Sequence, residues 1–484
     1  MSFKIAFIGA GSLGFTRRLI KDTLSVPELQ DIEISLMDIN TKNLDMIYQL
    51  IKKDVKGNEL KKIKITKTTS QKKAVTNAKY IFSMFRVGGL EGFKNDIEIP
   101  LKYGVDQCVG DTLGPGGIMY GQRGIQIILK LCKDIRENSL PNALLMNYAN
   151  PIAMLTWAAN KFGRVNTIGL CHGVQGGHNM IANAFKMKKE DIDIVCAGIN
   201  HQTWYIKISH KGKDLTGKLL KAFEAHPEYK KTQKVRLDVL KRFGYFSTES
   251  NGHLSEYVPW YRKRGNEIKD WVDLSSWING ETAGYLRVVT ENRNQFDTDF
   301  PNWIKEPHFK YKYEDRSEEH GSFIIEAMET NRIYRGHFNR INNGIIKNLP
   351  NDCVIEAPGY VDRNGLNMPL VGELPLGCAA ICNSSISTQR LSVEAAVTGN
   401  DELLRQAFMM DPLTGAVCNP PEIWQMVDEM LVHGRSWLPQ YKKAITQAQK
   451  RLRSGKKIKL KKYISSAKLK IKKTPIKRKL TKAS

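Results

Sequence analysis

Two stretches carry residue types that could bind a metal ion together: Gly169-Leu-Cys171-His172-Gly-Val-Gln-Gly and Gly198-Ile-Asn200-His201-Gln-Thr-Trp. A soft thiolate from Cys171 and an imidazole from His201 suit a borderline or transition ion such as Zn, Fe, Co, Ni or Mn. Their separation of thirty positions fits no compact zinc-finger spacing. The two ligands are therefore expected at the ends of separate strands, with coordination positions left open for substrate oxygens. Taken alone, the pair reads equally as a buried thiol and a satisfied core histidine, since free Cys is among the most buried residue types.

The elements that would position this pair form a repeating α/β pattern. Residues 4–8 read as a buried parallel strand, followed at once by Gly9-Ala-Gly11-Ser12-Leu-Gly14 and a helical stretch over 15–24. This order is the dinucleotide fingerprint: Gly9 for the tight turn, Gly11 for backbone approach to a pyrophosphate, and Gly14 for close helix–strand packing, with Ser12 in the same loop at the helix N-terminus. A second strand over 32–37 ends in Asp38, 24 residues beyond Gly14. A carboxylate there accepts from a ribose 2′-hydroxyl and disfavours a 2′-phosphate, which points to NAD over NADP.

Further on, the spacing predicts a helix over 41–57, an edge strand over 62–66, a short helix over 72–78 and a buried strand over 80–85. Glycine-rich, acidic stretches at 87–92, 96–100 and 111–117 read as loops gathered where parallel strands end. A helix over 122–136 and a strand over 143–146 follow, then the loop 147–151, which places Asn150 for polar contact at the same end of the sheet. A short strand over 168–170 puts Cys171 and His172 at a strand end again. The expected architecture is α/β: a Rossmann-type doubly wound parallel sheet over 1–200, a mixed α+β substrate and oligomerisation domain over 201–440, and a basic, disordered tail over 441–484. In the second domain, Trp260-Tyr-Arg-Lys-Arg and 302–313 are aromatic and basic, suited to stacking on a sugar or to packing.

Composition bounds the function. The 484 residues are 41% hydrophobic and 25% charged, ordinary for a globular protein, and eight cysteines stand at no framework spacing. No apolar run approaches the roughly 20 residues of a membrane helix, and Met1-Ser-Phe-Lys-Ile leads straight into a strand pattern, so a cytoplasmic location is expected. The net charge of +25 would suggest nucleic acid, but 441–484 holds 18 Lys or Arg and no acid, leaving +7 on 1–440. The basic signal is thus a local appendage, and neither a membrane nor nucleic acid is the expected partner.

The order of these motifs resembles glycoside hydrolase family 4, the NAD- and metal-dependent glycosidases, from residue 3 to about 440. The resemblance rests on Phe7-Ile-Gly-Ala-Gly-Ser, Met37-Asp-Ile, Asp96-Ile-Glu-Ile-Pro, Asp111-Thr-Leu-Gly-Pro-Gly-Gly, Asn147-Tyr-Ala-Asn-Pro, the two metal stretches, Gly252-His-Leu-Ser-Glu-Tyr-Val-Pro-Trp and Met409-Met-Asp-Pro-Leu-Thr. Gly244-Tyr-Phe and Asn348-Leu-Pro make it similar to the α-galactosidases of that family. The resemblance implies Mn²⁺ at Cys171 and His201 with substrate hydroxyls on the same ion, Tyr257 as base, Asp111 near the reacting carbons, and Asn150 and Asp96 as substrate contacts. It implies hydrolysis of a small α-galactoside by transient oxidation at C3, deprotonation at C2, elimination and addition of water, in a homodimer or homotetramer. Members acting on phosphorylated sugars carry Asp or Asn after the metal cysteine; His172 stands there in this chain and looks like the unphosphorylated branch, a candidate catalytic residue that leaves open which group is the leaving-group acid. Gly173 in Cys-His-Gly also occurs in relatives resembling uronidases, so an α-glucosidase or α-galacturonidase is the alternative. A malate- or lactate-type dehydrogenase is the alternative of another class.

Overall fold

The computed structural model describes residues 3–292, 295–454 and 458–470. Strands β1 (Lys4–Ile8), β2 (Glu33–Met37), β3 (Lys64–Thr68), β4 (Ala78–Ser83), β5 (Leu144–Asn147) and β6 (Thr167–Gly169) are mutually parallel in the order 3-2-1-4-5-6. That is the doubly wound order of a dinucleotide-binding sheet. Both faces are buried, as parallel sheets require. Ile5 and Phe7 of β1 pack into one core with the helices Leu13–Leu24 and Thr41–Gly57, whereas Ala6 and Ile8 pack into the other with Gly114–Asn138 and Ile152–Lys161. The predicted edge strand is indeed the outermost one, β3.

The sheet does not stop where the expected first domain does. Strands β7 (Asp193–Ile199), β8 (Gln202–His210), β9 (Lys213–Asp214), β10 (Phe246–Ser247), β11 (Tyr334–Ile341), β12 (Val354–Asp362) and β13 (Gly365–Asn367) extend it past β6, antiparallel, in the order β6-β11-β12-β7-β8-β10. The 200/201 boundary falls in the two-residue turn between β7 and β8. The helix Leu376–Thr398 shares a core with the first half, and Gln122 Nε2 donates to Ser392 O at 3.0 Å. The second part is therefore built onto the first across one sheet.

One row of register aligns the metal stretches. Gly169 of β6 faces Asn339, Asn339 faces Glu356, and Glu356 faces Gly198 of β7. Three strand spacings, about 14 Å, separate β6 from β7. Cys171 follows β6 two residues beyond this row and His201 lies in the β7–β8 turn three residues beyond it. The three antiparallel pairings make β7 run opposite to β6, so the turn and the segment after β6 must bend back to bring their donor atoms within 4.8 Å.

Two expectations are corrected. The stretch 96–100 is no loop: it lies in the helix Gly89–Lys102, whose buried face is Phe93, Asp96, Ile97 and Pro100 at helical spacing. The basic tail is in good part ordered. The helix Lys442–Arg453 buries Ala444, Ile445 and Ala448, and Arg451 pairs with Asp428 at 2.7 Å. Beyond it, Tyr463 Oη donates to Asp106 at 3.0 Å and Ala467 is fully buried. The apolar spacing 444, 445, 448 gives that helix one dry face, and its cations stay on the other. The remainder of the predicted tail, 471–484, lies outside the described residues. Among the described residues no helix is long and apolar enough to cross a membrane.

Candidate active site

A cavity of about 1050 Å³ opens at the carboxyl ends of the parallel strands and runs from Asp38 and Ile39 past Gly9, Gly11 and Ser12 to Cys171 and His201. At its first end, the amides of Gly9 and Ala10 both donate to Met37 O at 2.9 Å, which turns the chain sharply over β2. Gly9 has φ +88°, and a Cβ on it would lie 2.8 Å from Phe85 N; only glycine fits. Asp38 accepts from Gly11 N at 2.7 Å through Oδ2 and from Asn40 N at 2.8 Å through Oδ1. Each oxygen keeps a further lone pair for a ribose hydroxyl. Ile39 beside it is 87% exposed, an apolar platform at the cavity wall. The expected reason for Gly14 fails: a Cβ there meets nothing within 4 Å, and the residue does not line the cavity.

At the other end three donor atoms converge. Cys171 Sγ, a ring nitrogen of His201 and a carboxylate oxygen of Glu249 all lie within 4.8 Å of one another. Sequence reasoning brought forward the first two and missed Glu249, which lies far from both along the chain. The single hint was its position four residues before His253, just ahead of the N-cap Ser250 of the helix Asn251–Tyr257. Burial would raise the Glu249 carboxyl, but the imidazoles of His201, His253 and His172 outweigh it and hold the pKa down to about 2. Burial, then the Glu249 charge, pushes the Cys171 thiol well up, and the thiol donates to Glu249 Oε1 at 3.3 Å.

His201 sits in the β7–β8 turn with φ +61°, a left-handed conformation that costs a non-glycine residue about 1 kcal/mol. Its two ring nitrogens face different neighbours. Thr112 Oγ1 donates to Asp111 Oδ1 at 3.2 Å and stands 2.9 Å from His201 Nδ1. Nε2, on the other side of the ring, lies 3.6 Å from Glu249 Oε1.

The other expected residues separate into two groups. Asp111 and Asn150 line the cavity together: Asn150 Nδ2 donates to Asp111 Oδ2 at 3.1 Å, Arg86 donates to the same oxygen at 3.3 Å, and the buried Asn150 Oδ1 has no partner among the described residues. His172 also borders the cavity, with Nδ1 3.5 Å from Glu319 Oε1, whose hydrogen bond raises the imidazole's pKa. Asp96 does not touch the cavity. It is buried on its helix face and forms a two-pronged pair with Arg123, one arm at 2.8 Å, so its role is structural. Tyr257 is fully buried behind His201, with Oη 3.5 Å from Nδ1 and no share of the cavity wall. Burial pushes its phenol well above the usual range.

The neighbouring Glu256 was not anticipated. Its carboxylate accepts from three successive amides, Cys108 at 2.6 Å, Val109 at 3.0 Å and Gly110 at 2.9 Å, and so ties the segment before Asp111 to the helix carrying Tyr257. Arg86, another cavity residue that sequence reasoning passed over, is enclosed by the rings of Phe93, Tyr120 and Tyr285.

Comparison with known proteins agrees with this arrangement. Residues 4–187 match Family 4 glycosyl hydrolase, and residues 196–414 match the Family 4 glycosyl hydrolase C-terminal domain. An α-galactosidase of Rhizobium meliloti (strain 1021) is 56% identical over 452 residues, 93% of this chain and 92% of the relative. An α-galactosidase of Bacillus subtilis (strain 168) is 35% identical over 91% of this chain and 100% of its own. The structure of a 6-phospho-β-glucosidase from Thermotoga maritima with manganese, NAD⁺ and glucose-6-phosphate superposes with a TM-score of 0.74 at 25% identity, covering 90% of this chain and 99% of that one. A strand-turn-helix nucleotide loop and a thiol–imidazole pair facing one cavity, in a chain matched along most of its length, make it a member of glycosyl hydrolase family 4.

Proposed function

We propose that this chain hydrolyses small unphosphorylated α-galactosides with NAD and Mn²⁺ as resident cofactors. The observation that carries the reading is the single cavity joining Asp38 to the Cys171–His201 pair, in a chain 56% identical to an α-galactosidase. The donor set fits both groups. The loop of Gly9, Gly11 and Ser12 with Asp38 would hold the dinucleotide, and the sulfur of Cys171 with Nε2 of His201 would hold a borderline divalent ion. When bound, NAD supplies reversible oxidation at the sugar C3, and the metal supplies Lewis acidity that weakens the C2–H bond.

The chain's own groups then divide the remaining work. Asn150 Oδ1, buried without a partner among the described residues, is placed to accept from a sugar hydroxyl, while its Nδ2 is committed to Asp111. Removal of the C2 proton falls to Tyr257 or Asp111. The family resemblance favours the phenol; the cavity wall favours the carboxylate, because Asp111 borders the sugar space and Tyr257 stands behind His201. His172, at the rim and held by Glu319, is the group placed to protonate the departing oxygen. Arg86 is already paired with Asp111 and ringed by aromatics, so it is not offered to a sugar carboxylate, which supports a neutral sugar over a uronide. The eight free cysteines, all buried, suit a reducing cytoplasm, and family membership supports a homo-oligomer.

The test is a substrate panel of aryl α-galactoside, α-glucoside and α-galacturonide with NAD⁺, Mn²⁺ and a reductant. The galactoside is expected to be preferred, to turn over more slowly with deuterium at C2, and to accumulate no NADH. Activity that survives removal of both cofactors, or preference for the galacturonide, overturns the reading. Tyr257→Phe and Asp111→Asn, compared for loss of C2 hydrogen exchange, decide the base.

A further inference from the structure

We infer that Glu249 is a third protein ligand of the metal and that Gly173 is glycine because Glu249 occupies the space its side chain would need. The inference rests on the metal reading above and extends it to a residue outside the Cys–His pair.

The distances suit direct coordination. Glu249 Oε1 lies 3.3 Å from Cys171 Sγ and 3.6 Å from His201 Nε2. Ligands at about 2.3 Å for sulfur and about 2.1 Å for nitrogen or oxygen around one ion stand roughly 3.0–3.6 Å apart, from octahedral to tetrahedral angles. Two of the three separations are already in that range, and the third falls within the 4.8 Å that encloses all three atoms. Sulfur, imidazole nitrogen and carboxylate oxygen form a mixed donor set for a borderline divalent ion, and three protein ligands leave positions for substrate oxygens.

Glu249 is held in this pose against its own backbone preference. Its φ is +67°, a left-handed value that few non-glycine residues adopt and that glutamate favours less than histidine does at the +61° of His201. Residues in such conformations persist where the surroundings over-determine them, and they cluster at functional sites. The far oxygen, Oε2, faces His253 Nδ1 at 4.0 Å, so Oε1 alone points into the donor triangle.

The second observation comes from a different element. Gly173 is the first residue of the helix Gly173–Phe185, and a Cβ placed on it would stand 1.7 Å from Glu249 Oε1. Any side chain at 173 evicts the carboxylate oxygen from the triangle. The two positions are thus one device: the bare α-carbon after Cys171-His172 leaves room for the third ligand.

The experiment is a Mn²⁺ titration followed by the electron paramagnetic resonance of the free ion, on the full chain without NAD or substrate. The variants are Glu249→Gln, Gly173→Ala, their combination, and Cys171→Ser as reference, each checked for an unchanged melting curve. Glu249→Gln keeps the shape and hydrogen-bonding reach of the side chain, so it remains informative even if Gly173→Ala unfolds. Loss of the ligand is expected to raise the Mn²⁺ dissociation constant at least tenfold in Glu249→Gln and similarly in Gly173→Ala. The double variant is expected to be no weaker than Glu249→Gln alone, because both changes remove the same contact. If Cys171→Ser loses Mn²⁺ while Glu249→Gln binds like the parent, Glu249 is no ligand and the inference is overturned with the metal site intact. If Cys171→Ser also binds like the parent, the metal reading itself fails.

Discussion

Replacing Glu256 by glutamine tests whether the segment leading to Asp111 is positioned by a single carboxylate. Oε2 receives the amides of Cys108 and Val109 and Oε1 receives that of Gly110, all in a fully buried setting. Glutamine can place its carbonyl oxygen where Oε2 stands and keep two of these bonds. Its amide nitrogen then meets the Gly110 N–H, so one hydrogen bond to a charged acceptor is lost and one buried donor is left without a partner. A hydrogen bond to a charged group contributes about 1.5–3 kcal/mol, and an unsatisfied buried donor costs about 1–3 kcal/mol. Since the two overlap, the expected loss of stability is about 2–3 kcal/mol, read by urea unfolding of the full chain. The functional effect follows from distance along the chain: Gly110 is adjacent to Asp111, and a displacement of about 1 Å at the reacting groups lowers turnover on the order of a hundredfold. We expect kcat for an aryl α-galactoside to fall far more than KM rises, with NAD⁺ affinity unchanged, because the nucleotide loop is untouched. Stability within about 0.5 kcal/mol of the parent would refute the three-amide anchor. Lost stability with an unchanged kcat would refute its link to Asp111.

Further expectations concern the nucleotide end, the core and the C-terminus. Asp38→Ala removes the acceptor for Gly11 N and for a ribose hydroxyl; NAD⁺ affinity measured by calorimetry should drop about tenfold or more, and discrimination against NADP⁺ should narrow. His337 is buried, and burial lowers its pKa to about 3 from the ordinary 6.5. The folded chain thus refuses a proton that the unfolded chain takes, so its contribution to stability is complete above pH 6.5 and is lost as the pH falls toward 3, at most about 1.4 kcal/mol per unit. His337→Gln should flatten that part of the stability profile, and an unchanged acid slope would contradict the assignment. Ending the chain at residue 440 removes the buried face of the helix Lys442–Arg453 and the Arg451–Asp428 pair. Burial of Ile445 alone contributes about 1.5–3 kcal/mol, so this truncation should lower the melting temperature measurably; a chain as stable as the parent would show that the helix docks without holding.

What could be read in the sequence follows physical lines. Strands β1, β2, β4 and β5 are buried on both faces, so each is dominated by apolar residues, unbroken over Ile5–Ile8, Tyr80–Phe82 and Leu144–Met146, and the glycines after β1 mark a turn that only φ near +88° can make. The helix Gly89–Lys102 was hidden because Gly89, Gly92 and Pro100 look like loop signals. Yet Pro100 lies near its end, and Asp96 sits in the same buried stripe as Phe93 and Ile97, which is why this acid meets Arg123 and not a sugar. Tyr257 was legible as a motif residue but not as a buried one, since a motif fixes identity and the packing of the helix Asn251–Tyr257 behind the β7–β8 turn fixes access.

The donor triangle marks a deeper limit. Cys171 and His201 could be paired from their chemistry, but their meeting depends on the row Gly169, Asn339, Glu356, Gly198, in which a hairpin from far along the chain separates β6 from β7, and on the turns that carry both residues away from their strands. No local pattern encodes that row. Glu249 adds a further step, because neither hydrophobic period nor helix propensity selects a glutamate at φ +67°. Its place is set by a vacancy one element away, at Gly173. A fold written in periodic burial thus coexists with a site written in exceptions to it: two non-glycine residues in left-handed backbone and one glycine, each intelligible only when the other two are in place.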